Sequence, residues 1–195
     1  MRGRLWLNYF THIVKSERQE YPEGKKWPNS EWTEFMRRVM KRVGDKMNCR
    51  VAQLRPENKE ESGEYLNIDA VFIDRAEYDP RKKYDKWDPF VLPRAVVELE
   101  NSYDIEKISY CLWKILCVRA PIRVLICYQK GADKVATLKQ RLEDVIWQGS
   151  LVKGTDGDLL VIIGNDPGDK LPWEEYFSVF EWRNDRLEKI EGLEW

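Results

Sequence analysis

VLPRAVVELEN (residues 91–101) is the stretch on which the reading of the whole chain turns. Glu98 and Glu100 stand two apart, so in a strand both side chains leave one face while Val97 and Leu99 leave the other. Two acids on one face beside the apolar run Ala95-Val96-Val97 are costly to bury unless a cation or a partner neutralises them. A solvent-facing edge strand would also carry such a pair. The neighbouring stretch NIDAVFI (67–73) argues for the interior, because it is equally apolar and is likewise interrupted by an acid, Asp69. If the two strands pair, three carboxylates converge at one edge of a cleft.

Working outward, CRVAQLR (49–55) and EYLNIDAVFIDR (64–75) read as strands preceding the decisive one. Ahead of them, Trp32, Phe35, Met36, Val39, Met40, Val43 and Met47 step at three and four residues and predict an amphipathic helix over about 30–47. Ser30 suits its cap, Glu31 and Glu34 its positive end, and Arg37, Arg38, Lys41, Arg42 and Lys46 its later turns. An N-terminal helix carries Leu5, Trp6, Tyr9, Phe10 and Ile13 at helical spacing. Downstream, Ile105, Ile108, Leu112 and Ile115 predict a helix over about 103–118, stopped by Pro121. A buried strand IRVLICY (122–128), a helix over 134–147, a strand DLLVIIG (158–164) and a hairpin turning at Asn184-Asp185 complete the pattern. The expectation is one α/β domain over 1–195 with a central mixed sheet flanked by helices. Its core spans about 30–128, with a helical extension over 1–29 and a helix plus β-hairpin extension over 129–195.

Composition narrows the chemistry. The 195 residues are 43% apolar, enough for a continuous core, and 33 Lys and Arg against 34 Asp and Glu leave a net charge of -1. No global field draws the protein to nucleic acid or membrane, so such affinity needs a local patch. Cys49, Cys111, Cys117 and Cys127 lie singly in apolar segments, without zinc-site spacing, and read as buried reduced thiols. His12 is the single histidine and no GxSxG elbow is present, which disfavours triads and multi-histidine metal centres. GSLVKGTD (149–156) has the glycine interval of a phosphate loop without its lysine and reads as a plain turn. No stretch has the length of a membrane span and no secretion signal opens the sequence, so a cytoplasmic protein is expected. Carboxylates are left to carry any chemistry, and an oxygen-rich cluster suits Mg²⁺ or Mn²⁺.

The order helix, strand, strand with Asp69, strand with Glu98-Leu99-Glu100, helix, strand resembles the αβββαβ core of the PD-(D/E)xK, or restriction-endonuclease-like, superfamily over roughly residues 30–128. The resemblance implies a Mg²⁺-dependent endonuclease hydrolysing phosphodiester bonds of DNA. Asp69, Glu98 and the backbone of Leu99 would be the metal ligands, with Glu100 in the catalytic set and Glu34 as an additional helical acid. Glu100 stands where the motif has lysine. Some members supply that lysine from the following helix, where Lys107 and Lys114 are available, and Lys107 is carried into the expected catalytic set. Loss of the lysine equally describes a catalytically inactive descendant acting as a nucleic-acid-binding or assembly module, and a small-molecule-binding α/β domain is a third class. Arg81, Lys82 and Lys83, beside Tyr84 and Trp87, are the expected DNA-contacting loop. Cleavage of both strands would imply a homodimer. Trp32 and Trp113 are expected to be packing residues.

Overall fold

The computed structural model describes residues 2–18, 29–53, 67–77, 92–148, 157–165 and 173–195. Its elements run α1 (Arg2–Glu17), α2 (Asn29–Lys46), β1 (Cys49–Gln53), β2 (Ala70–Asp74), β3 (Ala95–Glu100), α3 (Ile105–Leu116), β4 (Ile122–Gln129), α4 (Ala132–Gln148), β5 (Asp158–Asn165), the one-turn α5 (Trp173–Tyr176), β6 (Phe177–Arg183) and β7 (Arg186–Lys189). The seven strands form one mixed sheet in chain order. β1, β2 and β3 pair antiparallel, β3, β4 and β5 pair parallel, and β5, β6 and β7 return to antiparallel. The parallel steps are the two whose strands are joined by a long helix, α3 or α4, since a parallel pair needs a long crossover.

Period-two alternation splits the strands between two cores. Phe72, Val97, Val124, Ile126, Leu160 and Ile162 face α1 and α2, where Trp6, Phe10, Phe35, Met36 and Val39 meet them. Val71, Val96, Leu125, Cys127, Val161 and Ile163 face α3 and α4, against Ile108, Leu112, Ile115, Leu138 and Leu142. The result is a three-layer α/β/α arrangement. Helix α1 belongs to this core: Trp6, Leu7 and Phe10 are fully buried.

Local chemistry explains several boundaries. Asp104 caps α3, its side chain accepting from the amides of Glu106 at 2.9 Å and Lys107 at 3.5 Å. Asn184 and Asp185 carry φ of 49° and 61°, the pair of positive angles a two-residue type I′ hairpin demands. Helix α2 already begins at Asn29, so Ser30 lies in its first turn rather than at its cap. Leu5 points outward and Leu7 and Val14 take its place in the core. Cys49, Cys111 and Cys127 are buried free thiols, but Cys117 is exposed, because it follows the last turn of α3 while Leu116 and Val118 turn inward. Trp113 is also outside, on the free flank of α3. His12 is exposed on α1.

Candidate active site

The register Ala70↔Val97 between antiparallel β2 and β3 sets Asp69, one residue before β2, beside Glu98. The Asp69 amide donates to Glu98 Oε1 at 3.4 Å, and the Leu99 amide donates to Asp69 Oδ2 at 2.8 Å. Each acid is therefore tied to the backbone of the other strand. Alternation sends Glu98 and Glu100 to the α3 side and Leu99 to the α2 side, as the spacing predicts.

Helix α3 closes the site. Its first turns follow β3 directly, and Lys114 reaches back so that Nζ lies 2.8 Å from Glu98 Oε1. The same ammonium donates to the Asn67 carbonyl at 2.7 Å. Asn67 has φ of 53°, a left-handed conformation asparagine accepts readily, and this turn delivers both the carbonyl and Asp69 to the cleft. Glu100 accepts from the Ser102 amide at 2.7 Å and from the Cys111 thiol at 3.9 Å, so both its oxygens are engaged near the start of α3.

These groups line a cleft of about 570 Å³ that contains Asp69, Glu98, Leu99, Glu100, Lys107 and Lys114. Both candidate helix lysines are thus present, with different roles. Lys107 is exposed at the wall, whereas Lys114 is inside and paired. Glu34 is not brought here: it is exposed on α2 with Arg37 at 3.7 Å. Arg81, Lys82 and Lys83, with Tyr84 and Trp87, lie outside the described residues, as does GSLVKGTD.

Burial shapes the charges. Glu98 is only 2% exposed, and this burial, with the Asp69 charge added, pushes its carboxyl up to about 7 against the pull of Lys114. Asp69 is raised as well, by burial first, while the Leu99 amide, Lys114 and Arg37 hold it down. Although burial lowers Lys114, the Glu98 carboxylate outweighs it and keeps the ammonium above its usual range. Burial also pushes the Cys111 thiol up, with Glu98 and Glu100 adding to the rise, so it stays a protonated donor. Two carboxyl groups raised in one cleft form a site that gains from added positive charge.

Sequence reasoning did not single out Tyr110, which lines the cleft at 59% exposure with Trp113, 46% exposed, stacked on it at 5.8 Å and 27°. Their three-residue spacing on a helix, off the stripe of Ile108, Leu112 and Ile115, was the available signal. Comparison with protein-family models, with curated proteins and with solved structures finds no match. No described helix is long and apolar enough to cross a membrane.

Proposed function

We propose that the chain is a divalent-metal-dependent nuclease of PD-(D/E)xK type, hydrolysing phosphodiester bonds of DNA, with Lys114 in the role of the motif lysine. The observation that carries this reading is the reach of Lys114 from α3 to Glu98, 2.8 Å away, inside the cleft that holds Asp69. The order α2, β1, β2, β3, α3, β4 is the αβββαβ order expected of such a core. In a strand motif Glu100 would be replaced by lysine; here a helix provides the cation.

The donor chemistry fits a hard divalent ion in part. Asp69, Glu98 and the Leu99 carbonyl offer oxygen only, and Mg²⁺ commonly takes one or two carboxylates and completes its shell with water and phosphate. Among the described residues no group of three or more His, Cys, Asp or Glu side chains is disposed to hold a metal ion, so water and substrate would have to supply the remaining ligands. When bound, the ion would polarise a phosphoryl oxygen and make its water nucleophilic near neutral pH. The protein's own share is distinct. The Leu99 amide orients Asp69, Lys114 holds positive charge against Glu98, and Glu98, pushed up to about 7, would release its proton where a cation is held. Tyr110 at the wall offers a ring face to an unpaired base.

One observation favours a second reading, a nuclease-fold module that binds without cleaving: Lys114 already neutralises Glu98, and Glu100 spends both oxygens on Ser102 and Cys111. Incubating single- and double-stranded DNA with the protein and Mn²⁺, beside Asp69→Asn and Lys114→Met, separates the two. Cleavage abolished by Asp69→Asn supports the nuclease. Binding with no cleavage, with Mn²⁺ and with Mg²⁺ in its place, supports the module.

A further inference from the structure

Three charged side chains are buried among the described residues: Glu98, Glu181 and Arg123. Glu98 has Lys114, and Glu181 has Arg4 at 3.1 Å and Arg183 at 2.9 Å. Arg123, 3% exposed, has no acid partner among the described residues. Its Nε donates to the Val118 carbonyl at 3.0 Å, and burial pulls the group below the usual guanidinium range with no neighbouring charge acting on it. A buried, uncompensated guanidinium is expensive, and proteins keep such groups where an anion completes them.

Arg123 lines a cleft of about 930 Å³ at the N-terminal ends of β3, β4 and β5, at the end of the parallel strands away from the acidic site. This is the upper part of the range for small-molecule pockets, roughly 300–1,000 Å³. Arg2 and Arg119 are exposed on its walls and form no ion pair among the described residues. Arg94, also on the wall, is taken by Asp74, and Asp158 accepts the Gly3 amide at 2.6 Å. Gly157 keeps the floor open: with φ of 138° it passes so close that a Cβ there would lie 3.0 Å from Arg123 Nη1 and 2.7 Å from the Pro121 carbonyl oxygen. Arg2, Arg119 and Arg123, with no acid partner among the described residues, thus line one concavity, against the exposed Glu77 on its rim, and the guanidinium fork is the side chain best matched to phosphate oxygens.

We propose that this cleft binds a phosphate-bearing ligand, with Arg123 at its floor and Arg2 and Arg119 closing over the anion. The phosphate can belong to a free small molecule or to the end of a nucleic-acid strand, and the proposal does not depend on cleavage at Asp69 and Glu98.

Cys117 makes the test direct, because it is the exposed cysteine and it lines this cleft. The full chain is labelled at Cys117 with an uncharged maleimide in the presence of inorganic phosphate, of a 5′-phosphorylated tetrathymidylate, or of its 5′-hydroxyl form. Sodium chloride at matched ionic strength is the reference, and Cys117→Ser confirms the site of labelling. Phosphate should slow labelling where chloride does not. Arg119→Gln and Arg2→Gln should each shift the protecting concentration upward about tenfold or more, the loss expected for a charged hydrogen bond. Protection by inorganic phosphate at the lower concentration assigns a free phosphate ligand, and protection only by the 5′-phosphorylated strand assigns a strand end. Protection by no phosphate, protection matched by chloride, or protection unchanged in the Arg2→Gln, Arg119→Gln double variant overturns the proposal. Both arginines are at the surface, so the result does not depend on an Arg123 variant folding.

Discussion

The layers on the two sides of the sheet are closed differently. Beneath α1 and α2 the filling is aromatic: Trp6 stacks on Phe10 at 5.2 Å, Phe10 meets Trp195 edge-on, and Phe177 stacks on Trp195 at 4.9 Å. The buried charge on that side, Glu181, is held by two arginines. Beneath α3 and α4 the filling is aliphatic, and charge enters it at both ends of the parallel strands, as Glu98 at one and Arg123 at the other. One layer is filled by stacked rings, and the other holds buried charge at its margins where apolar packing would be more stabilising. The proposed nuclease site would need such an arrangement, because an acid poised near neutral pH has to be partly desolvated.

The contrast is sharpest in the sealed layer. Phe10→Ala should cost about 3–5 kcal/mol, the usual penalty for emptying an aromatic core site, read as a lowered urea midpoint. A cost below about 1 kcal/mol would mean that α1 is not part of the core that holds the sheet together.

On the other side the largest effect is one of pH. Glu98 has its ordinary value near 4.5 when unfolded and about 7 when folded, so the folded state binds its proton more tightly. Stability from this group is complete below about 4.5, falls as pH rises, and stops changing above about 7. The loss is at most about 3 kcal/mol. Glu98→Gln cannot ionise, so between pH 5 and 8 its stability, measured by chemical denaturation, should fall less steeply than that of the wild type. Parallel curves would remove the case for a poised carboxyl.

Next in size is Lys114→Met. Removing a preorganised cation should lower divalent-dependent cleavage roughly 10²-fold, whereas Lys107→Met should lose little. Because Lys114 is one of the groups that hold Glu98 down, its loss should also move the acidic limb of the pH–rate profile upward. Equal losses in the two variants would make Lys114 merely one of two phosphate contacts.

Much of this architecture was legible where local chemistry has one solution. The strand alternation at Glu98-Leu99-Glu100, the Asn184-Asp185 turn and the helical stripes of α2 and α3 are set by period and by φ, and they stand where the spacing puts them. Choices between equivalents were not legible. Lys107 and Lys114 are two helical turns apart on one side of α3, and only the placement of Asn67 and β3 decides which one turns inward. Arg123 was hidden in the apolar run IRVLICY, although a lone charge in such a run is itself the signal. Cys117 and Trp113 read as packing residues because their segments are apolar, yet the helix end and the rotation of α3 put both outside.

The smallest effect concerns the rim of the acidic cleft, where the aliphatic layer ends in exposed rings. Tyr110 lines the cleft and Trp113 does not, so Tyr110 is the ring that can meet a base while Trp113 supports it from behind. Stacking of one base is worth about 1–3 kcal/mol, so Tyr110→Ala should weaken binding of a single-stranded oligonucleotide about tenfold in the Asp69→Asn background, where cleavage does not interfere. Tyr110→Phe keeps the ring and should bind as before. Trp113→Ala should lose less than Tyr110→Ala, because it acts only through the neighbouring ring. Duplex DNA, whose bases already stack on one another, should be nearly indifferent to all three. Fluorescence anisotropy at one fixed salt concentration reads these differences, since phosphate contacts vary steeply with salt. An equal loss on single strands and duplex would assign Tyr110 to backbone contact, and no loss on either would leave the Tyr110–Trp113 pair outside the DNA path altogether.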